Sequence, residues 1–178
     1  MKPARLLFAL GAMTAAIAGT LVPLSVEKLT RASSQVLLAR SADSWTEWNP
    51  RHTLIYTITR FQIERALKGD SEESVLVKQL GGRAEGLEQK VSGVRHWQSG
   101  EERVLFLRPS NDRPGAYVVV GLVQGDFKVE RRGGQVEVSN DTQGLTYYDP
   151  RQPAAAARPA GRMSFSELEA RVRKAAEE

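Results

Sequence analysis

The segment TLIYTITRFQIERALKG, residues 53–69, limits the fold of this chain more than any other stretch. Its residues alternate in polarity with a period of two, which predicts a β-strand rather than an amphipathic helix. One face of this strand carries Ile55, Thr57, Thr59, Phe61 and Ile63. The other face is apolar first and polar afterwards, with Leu54, Tyr56 and Ile58 followed by Arg60, Gln62 and Glu64. A long strand that changes in this way enters a second layer or bends around a small barrel.

Shorter strand-like runs occur along most of the chain, and turn residues separate them. The apolar run at 36–38 precedes the long strand, and SVLVKQL, RVLFLRP, AYVVVGLV, DFKVERR and GGQVEVS follow it. Six to eight short strands at intervals of about ten residues predict a mainly β domain. We expect a small barrel or a sandwich.

Glycine-containing turns interrupt this pattern. Lys68 and Gly69 end the long strand, Gly81 and Gly82 end the next strand, and Gly100 precedes the run EERVLFL. The segment GGRAEG has neither the glycine order of a dinucleotide-binding loop nor the lysine and hydroxyl of a P-loop. We therefore expect these turn residues to be structural, with glycine allowing positive φ or a close backbone approach.

Short helices are predicted before and after the β strands. Ser25 is the expected N-cap of the first, with Leu24 and Leu29 placed to form a hydrophobic staple. Ser164 and Glu167 have capping-box spacing at the start of the second. The second helix has a narrow apolar stripe formed by Phe165, Leu168, Val172 and Ala175. We expect this amphipathic helix to dock on the β domain, because an isolated helix of this length is marginally stable; contact with another protein is the alternative.

The first eighteen residues differ from the rest of the chain. Lys2 and Arg5 precede an apolar run that is short and rich in small residues, which predicts a secretory signal peptide with cleavage after Ala18. An uncleaved N-terminal anchor is the alternative. The predicted location is therefore periplasmic or extracellular, with no stable membrane span after cleavage.

The remaining residues are expected to form one domain with an appended helix. Residues 19–148 are the β domain with its leading helix, residues 149–162 are a Pro/Ala-rich linker, and residues 163–178 are the C-terminal helix. The chain contains no cysteine, so apolar packing alone must stabilise this domain.

The charges of the chain do not indicate a nucleic-acid partner. The formal net charge of +4 falls to +2 when Lys2 and Arg5 are removed with the signal peptide. Acidic and basic residues are interleaved, and the sequence has neither a basic stripe nor the stacking aromatics of a nucleic-acid module. We expect no binding of nucleic acid.

The residue types needed for familiar catalytic and metal sites are scarce. The only histidines are His52 and His96, and the chain has neither a cysteine nor a G-x-S-x-G motif. The pairs Glu72-Glu73 and Glu101-Glu102 are neighbours on a strand or in a polar turn, which does not suit two acids that act across a sugar. We expect no catalytic residue, no metal and no cofactor, although a triad assembled in space around one histidine remains an alternative.

Aromatic residues with polar neighbours are the candidate binding residues. The set comprises Trp45, Trp48, His96, Trp97, Tyr147 and Tyr148. Exposed aromatic rings in loops serve protein contact or sugar stacking, and rings that cover the ends of a β core are the structural alternative. The best candidates for protein contact are the loop around Trp97 and the segment from Trp45 to Trp48.

Several motifs in order carry a family resemblance. The segments are VPLSVEKLTRASSQVLLARS, YTITRFQIERALKGD, VLVKQLGG, GVRHWQSGEERVLFLRP and YVVVGLVQGDFKVER. This arrangement resembles a group of uncharacterised exported bacterial proteins over roughly residues 22–132. It is also similar to the netrin-like module of tissue inhibitors of metalloproteinases, an OB-type barrel. That second resemblance implies a closed barrel with flanking helices and a secreted protease as partner, but the inhibitors bind zinc through an N-terminal cysteine, which this chain lacks.

The sequence therefore predicts a non-catalytic exported binding or accessory module with a protein partner. Two alternatives remain open at this point. One is a secreted hydrolase whose site uses His52 or His96, and the other is a module that binds an extracellular polysaccharide through its aromatic residues.

Overall fold

The computed structural model describes residues 20–70, 72–142, 146–147 and 161–178. The predicted signal peptide and most of the predicted linker lie outside these residues. The first elements in chain order are β1 (Thr20–Leu21), α1 (Val26–Ala32), β2 (Gln35–Trp48), β3 (Ile55–Lys68), β4 (Ser74–Leu80), β5 (Gly82–Ala84) and β6 (Leu87–Gln89). The later elements are β7 (Glu102–Pro109), β8 (Ala116–Val119), a 3-10 turn (Leu122–Gly125), β9 (Asp126–Arg132), β10 (Gln135–Asn140), β11 (Thr146–Tyr147), β12 (Met163–Ser164) and α2 (Phe165–Glu177).

Five of these strands close a small barrel. β2 pairs with β3, β3 with β4, and β7 with β2, all in antiparallel register. β8 completes the ring because it pairs in parallel with β4 and antiparallel with β7. The third and fifth strands of the ring are thus neighbours, which is the connectivity of an OB-like barrel. The mainly β, OB-like fold expected from the sequence is confirmed.

The long hairpin of β2 and β3 bends around this barrel. The register between the two strands shifts at three places: between Val36 and Leu37, between Leu38 and Ala39, and between Ser41 and Ser44. Bulges of this kind bend a strand and increase its twist. On the second face of β3, Ile58 is buried and Arg60 is exposed, as the change of polarity along this strand predicts.

The first part of β2 and most of β7 are buried on both faces. Inside the barrel, Leu37 and Leu105 pack with Phe61. On the outer face, Val36 and Phe106 belong to a second core that includes residues of both helices. β9, β10 and β12 extend the sheet from β7 over this second core. This two-sided burial explains why the sequences of β2 and β7 contain continuous apolar runs rather than an alternation.

The two helices lie where the sequence predicts them. Ser25 Oγ accepts a hydrogen bond from Lys28 N at the start of α1, and Ser164 Oγ accepts one from Glu167 N at the start of α2. Leu168 of α2 is fully buried in the second core, so the expected docking of this helix is confirmed. Neither helix, within the part of the chain that is described, has the length and apolar composition of a membrane span.

The Lys68-Gly69 turn joins the long hairpin to α1. Lys68 Nζ donates hydrogen bonds to the carbonyl oxygens of Thr30 and Ser33, each at 2.7 Å. The ammonium therefore satisfies carbonyls at the C-terminal end of α1, where a positive charge is also favoured by the helix dipole. A Cβ at position 69 would lie 2.6 Å from Ser34 O, so this position needs glycine. The turn therefore depends on both the lysine and the glycine.

Gly81 and Gly82 lie at the end of β4, and Gly100 lies in the turn before β7. A Cβ on Gly81 would lie 2.7 Å from Gln89 O, and one on Gly82 would lie 2.5 Å from Thr57 Oγ1. The carbonyl of Gly100 accepts a hydrogen bond from Arg40 Nη1 at 3.1 Å. Gly81, Gly82 and Gly100 thus contact other residues of the same chain.

Candidate binding site

The aromatic residues proposed from the sequence do not form one surface. Trp45 and Trp48 lie in β2, and side chains three residues apart in a strand point to opposite faces. Both rings are half-buried, and Trp48 stacks on His52 with a centroid distance of 5.6 Å. The backbone of Tyr147 lies in β11, whereas its side chain and all of Tyr148 are outside the described residues.

Trp97 is a core residue, which corrects its assignment to an exposed binding loop. Residues 94–98 do form a loop, but the ring is only 5% exposed and meets Phe61 edge-on inside the barrel at a centroid distance of 4.9 Å. The indole Nε1 donates a hydrogen bond to Asp126 Oδ2 at 3.0 Å. Because the loop folds over the end of the barrel core, Trp97 is not available to a partner.

Asp126 belongs to a buried charged cluster beside Trp97. Asp126 and Arg103 are each 2% exposed, and Arg103 Nη1 lies 3.5 Å from Asp126 Oδ1. This contact is an ion pair without hydrogen-bond geometry, since Oδ1 has no hydrogen-bond partner among the described residues. Burial raises the pKa of Asp126, while Arg103 and Trp97 act in the opposite direction. The cluster fixes the loop of Trp97 to the barrel.

The two histidines do not form a catalytic arrangement with their neighbours. Both are exposed; His52 stacks on Trp48, and His96 Nε2 lies 3.3 Å from Leu80 O. Within the described ranges, neither ring hydrogen-bonds to a hydroxyl or a carboxylate, and no cluster of histidine, aspartate and glutamate is placed to hold a metal ion. These contacts provide no catalytic pair for the hydrolase alternative.

A recess lies where the barrel opens between β4 and β8. The parallel register of these strands covers only Leu76↔Ala116 and Val77↔Tyr117, although β4 continues to Leu80 and β8 to Val119. The space beyond the paired residues has a volume of about 270 Å³. We call it the Lys78 recess, and its polar lining and rim are formed by Tyr56, Lys78, Gln79, Arg108 and Asp112, with Leu122 beside them.

The walls of the Lys78 recess are mostly apolar. They are formed by Leu80, Val91, Val94, Val118 and Val119. All five side chains are half-buried, so part of this apolar surface stays in contact with water. An apolar concave surface with a few polar groups is the usual character of a binding site.

Leu122 lies at the recess with a strained backbone. Its φ of 58° is in the left-handed region, which costs a residue other than glycine about 1 kcal/mol or more. The side chain is nevertheless 37% exposed. Neither the strain nor the exposure of a large apolar side chain stabilises the fold, and this combination points to a functional position.

Gln79 is next to Lys78 on β4, so its side chain points to the opposite face of the strand. Gln79 is 9% exposed, and its Oε1 has no hydrogen-bond partner in the part of the chain that the structure describes. A buried amide left in this way costs about 1–3 kcal/mol.

The two cations of the recess differ in their surroundings. Lys78 is 7% exposed, with Nζ 3.6 Å from the ring centroid of Tyr56 and 2.6 Å from Asp112 Oδ2. Its ammonium, together with the Ser110 hydroxyl, holds the pKa of Asp112 below the usual value. Arg108 is exposed and has no ion-pair partner among residues 20–70, 72–142, 146–147 and 161–178. Arg108 is therefore the cation that is free to bind an anion.

A second hollow at the other end of the β4–β8 pairing is less suited to a specific ligand. Its volume is about 420 Å³, and it is lined by Gln35, Arg60, Ile63, Glu72 and Tyr117 among others. Its lining is mainly polar. The Lys78 recess is the better candidate because its walls are mostly apolar.

Sequence reasoning missed the Lys78 recess because its residues come from five separate segments. The one local signal was the polar pair Lys78-Gln79 inside the otherwise apolar strand VLVKQL. A polar residue on each face of a strand that is buried on both faces indicates a special environment. The strained conformation of Leu122 leaves no comparable mark in the sequence.

Comparison with known proteins does not assign this chain to a family. No protein-family model matches it, and no curated protein is similar enough to count as a match. The case for a function therefore depends on the geometry of the recess.

Proposed function

We propose that this chain is a non-catalytic binding or accessory module, exported to the periplasm or the extracellular space, that binds a protein partner through the Lys78 recess. The observation that carries the proposal is an apolar recess at the gap between β4 and β8, with Leu122 exposed and its backbone strained at the edge of the recess. The proposal for export rests on residues 1–18, which have the composition of a signal peptide.

Two features of the recess favour a protein over a polysaccharide. The first is the apolar wall, which suits an aliphatic or aromatic side chain better than a sugar. The second is the edge of β4 at Lys78 and Gln79, which lies beyond the register paired with β8; the carbonyl of Leu80, further along this edge, is already in contact with His96. An extended peptide can add to such an edge through backbone hydrogen bonds. Tyr56, the aromatic residue of the recess, is in contact with Lys78 and is not a free platform for sugar stacking.

Site-specific crosslinking tests this proposal. A photo-reactive residue is placed at Leu122 in the full chain, produced in its own host, and the same residue is placed at Leu87 as the control. Leu87 is also apolar and exposed, but it lies in the β5–β6 hairpin outside the recess. We expect an adduct with one defined protein from position 122, which is absent from position 87 and lost when Val94→Asp is added. No adduct from position 122, or the same adducts from both positions, would contradict the proposal.

The same exported protein tests the alternatives. Its N-terminal sequence is expected to begin at Gly19. A hydrolase would show turnover that is lost on His52→Ala or His96→Ala, and a polysaccharide-binding module would change its tryptophan fluorescence on titration with host polysaccharide. Either result, without a crosslink from position 122, would replace the proposed function.

A further inference from the structure

The pairing of β4 with β8, which we call the seam, closes the barrel over two residue pairs, Leu76↔Ala116 and Val77↔Tyr117. We propose that the seam opens in the folded protein and in this way controls access to the edge of β4. This inference rests on the proposed function and deepens it, because it concerns how the Lys78 recess becomes accessible to a partner.

Both strands of the seam are held more firmly on their other sides. All seven residues of β4 are in antiparallel register with β3. β8 is in antiparallel register with β7, and the backbone hydrogen bonds from Ser110 N to Ala116 O and from Val120 N to Phe106 O extend this pairing at both ends. A parallel pair is also slightly less stable per residue than an antiparallel pair. The seam is therefore the strand pairing of the barrel that separates first.

The seam has a hollow at each end. Residues 78–80 of β4 line the Lys78 recess, with a volume of about 270 Å³, and residues 74–76 line the second hollow, with a volume of about 420 Å³. Val77, which is in register with Tyr117, is the residue of β4 between them. Opening of the seam therefore joins the two hollows into one groove along β4.

Ion pairs from the β7–β8 loop, residues 110–115, hold the seam closed. Asp112 Oδ2 lies 2.6 Å from Lys78 Nζ on β4, and Arg113 contacts Glu47 on β2. The side chain of Asp112 is 61% exposed, and those of Arg113 and Glu47 are each about one-third exposed. Because exposed ion pairs are weak and are screened by salt, these contacts close the seam without preventing it from opening.

The direction of the backbone groups in β4 shows which of its amides lie at the seam. Gly81 N donates a hydrogen bond to Ile55 O of β3 at 2.7 Å. Backbone groups alternate between the two edges of a strand, so Gln79 also bonds to β3, whereas Lys78 directs its N–H towards the seam. Exchange of the Lys78 amide therefore reports on the seam, and exchange of the Gln79 amide reports on the pairing with β3.

The same alternation applies to β8. Ala116 O and Val120 N take part in hydrogen bonds with the β7 side, so Val118 between them also faces β7. Tyr117 therefore directs its N–H towards β4. The Tyr117 amide reports on the seam, and the Val118 amide is its control within the same strand.

Hydrogen exchange of single backbone amides, measured by NMR on the free protein, tests whether the seam opens. After correction for intrinsic rates, we expect the amides of Lys78 and Tyr117 to exchange about tenfold or more faster than those of Gln79 and Val118. The reason is that only the first two lose their hydrogen bonds when β4 and β8 separate. Equal exchange within each pair of neighbours would overturn the inference.

A reversible disulfide distinguishes opening of the seam from other local motion. The chain has no cysteine, so Leu76→Cys combined with Ala116→Cys introduces a single pair of thiols at two register partners. Oxidation is expected to slow exchange at Lys78 and Tyr117, and reduction is expected to restore it. The reduced form of the same variant shows whether the substitutions themselves disturb the fold. No effect of oxidation on these two amides would overturn the inference.

Arg132→Cys combined with Gln135→Cys is the matched control. These residues are register partners in the exposed β9–β10 hairpin, which does not line either hollow of the seam. Oxidation of this pair is expected to leave exchange at Lys78 and Tyr117 unchanged. Equal slowing by both disulfides would show that these amides exchange by a motion of the whole fold, which would overturn the inference.

The seam disulfide also connects opening to binding. With the photo-reactive residue at Leu122, we expect the adduct to be lost in the oxidised form and recovered on reduction. An adduct that forms equally in both forms would overturn control of access by the seam, while the recess would remain a protein-binding site. No adduct in either form would overturn the proposed function and the control of access together, whereas exchange in the free protein decides by itself whether the seam opens.

Discussion

Gly82 lies where β4 passes into β5, and the surrounding side chains leave no room for a Cβ. Such an atom would lie 2.5 Å from Thr57 Oγ1 and 2.9 Å from Thr46 Cγ2. Gly86, in the turn between β5 and β6, also has a positive φ, but a Cβ there meets nothing within 4 Å. Alanine substitutions at these two positions therefore distinguish the cost of the backbone conformation from the cost of the close contact.

We expect Gly86→Ala to lower the free energy of unfolding by about 1 kcal/mol, which is the cost of a positive φ. Gly82→Ala is expected to lower it by about 2–4 kcal/mol, because the strain of overpacking adds to the same backbone cost. Urea unfolding of the two variants measures both values. Similar losses for the two variants would show that the close contact at Gly82 does not matter.

Single residues also show how far the candidate site follows from the sequence. Trp97 stands in a polar loop, and its burial depends on Phe61 and on Asp126, which lie in other strands. Gln79 has a polar side chain in a strand, but the sequence does not reveal that Oε1 lacks a partner within the described structure. Turn glycines are predictable because the backbone conformation that requires them is set by neighbouring residues in the sequence. The surroundings of Trp97 and Gln79 depend instead on residues that are distant in the sequence.

The helices α1 and α2 are joined by an ion pair as well as by apolar packing. Arg171 of α2 donates to both carboxylate oxygens of Glu27 of α1, at 2.8 Å and 3.1 Å. The hydrogen bond from Arg171 is the main reason why the pKa of Glu27 falls from 4.5 to about 2. Because the folded-state pKa is the lower one, this pair stabilises the fold above about pH 4.5, and the stabilisation is lost as the pH falls towards 2.

Glu27→Gln is expected to lower the free energy of unfolding by about 1 kcal/mol near neutral pH, since a partly exposed pair is screened by solvent. The loss should shrink as the pH falls below about 4.5, where the carboxyl of the unfolded chain takes up a proton. Urea unfolding at several pH values between 6 and 3 measures this effect. Glu72→Gln, which removes an exposed carboxylate outside the helices, is the control for net charge. If the difference in the free energy of unfolding between wild type and Glu27→Gln does not change with pH, the role of this ion pair is contradicted.

At the level of elements, the helices were easier to predict than the strand geometry. Ser25 and Ser164 are capping residues with a local signature, and both caps are present. The bulges of β2 occur in the run from Val36 to Ser44, which contains no glycine or proline to indicate them. Bulges arise there because a long hairpin must bend to close a barrel, which is a constraint of the tertiary structure.

The molecule is built on a five-stranded barrel. Among the strand pairs that close this barrel, β4 and β8 are paired over the fewest residues. The mainly β class follows from the spacing of short strands and turns in the sequence, and the OB-like barrel is what the resemblance to the netrin-like module implies. The parallel pairing that closes the ring involves only two residue pairs between segments about forty residues apart, and no local pattern predicts it. The recess forms at this junction, so its position becomes visible only when the barrel is closed.

The central claim is that the opening between β4 and β8 is the binding site, and hydrogen exchange tests it most directly. The full chain is measured alone and in complex with the protein captured from Leu122. We expect slower exchange in residues 78–80 and 118–122 in the complex, with unchanged exchange in the β5–β6 hairpin, because a bound peptide protects the amides of the edge it covers. Unchanged exchange at residues 78–80 and 118–122, with new protection around Trp45 and Trp48, would contradict the claim and would place the binding surface on β2.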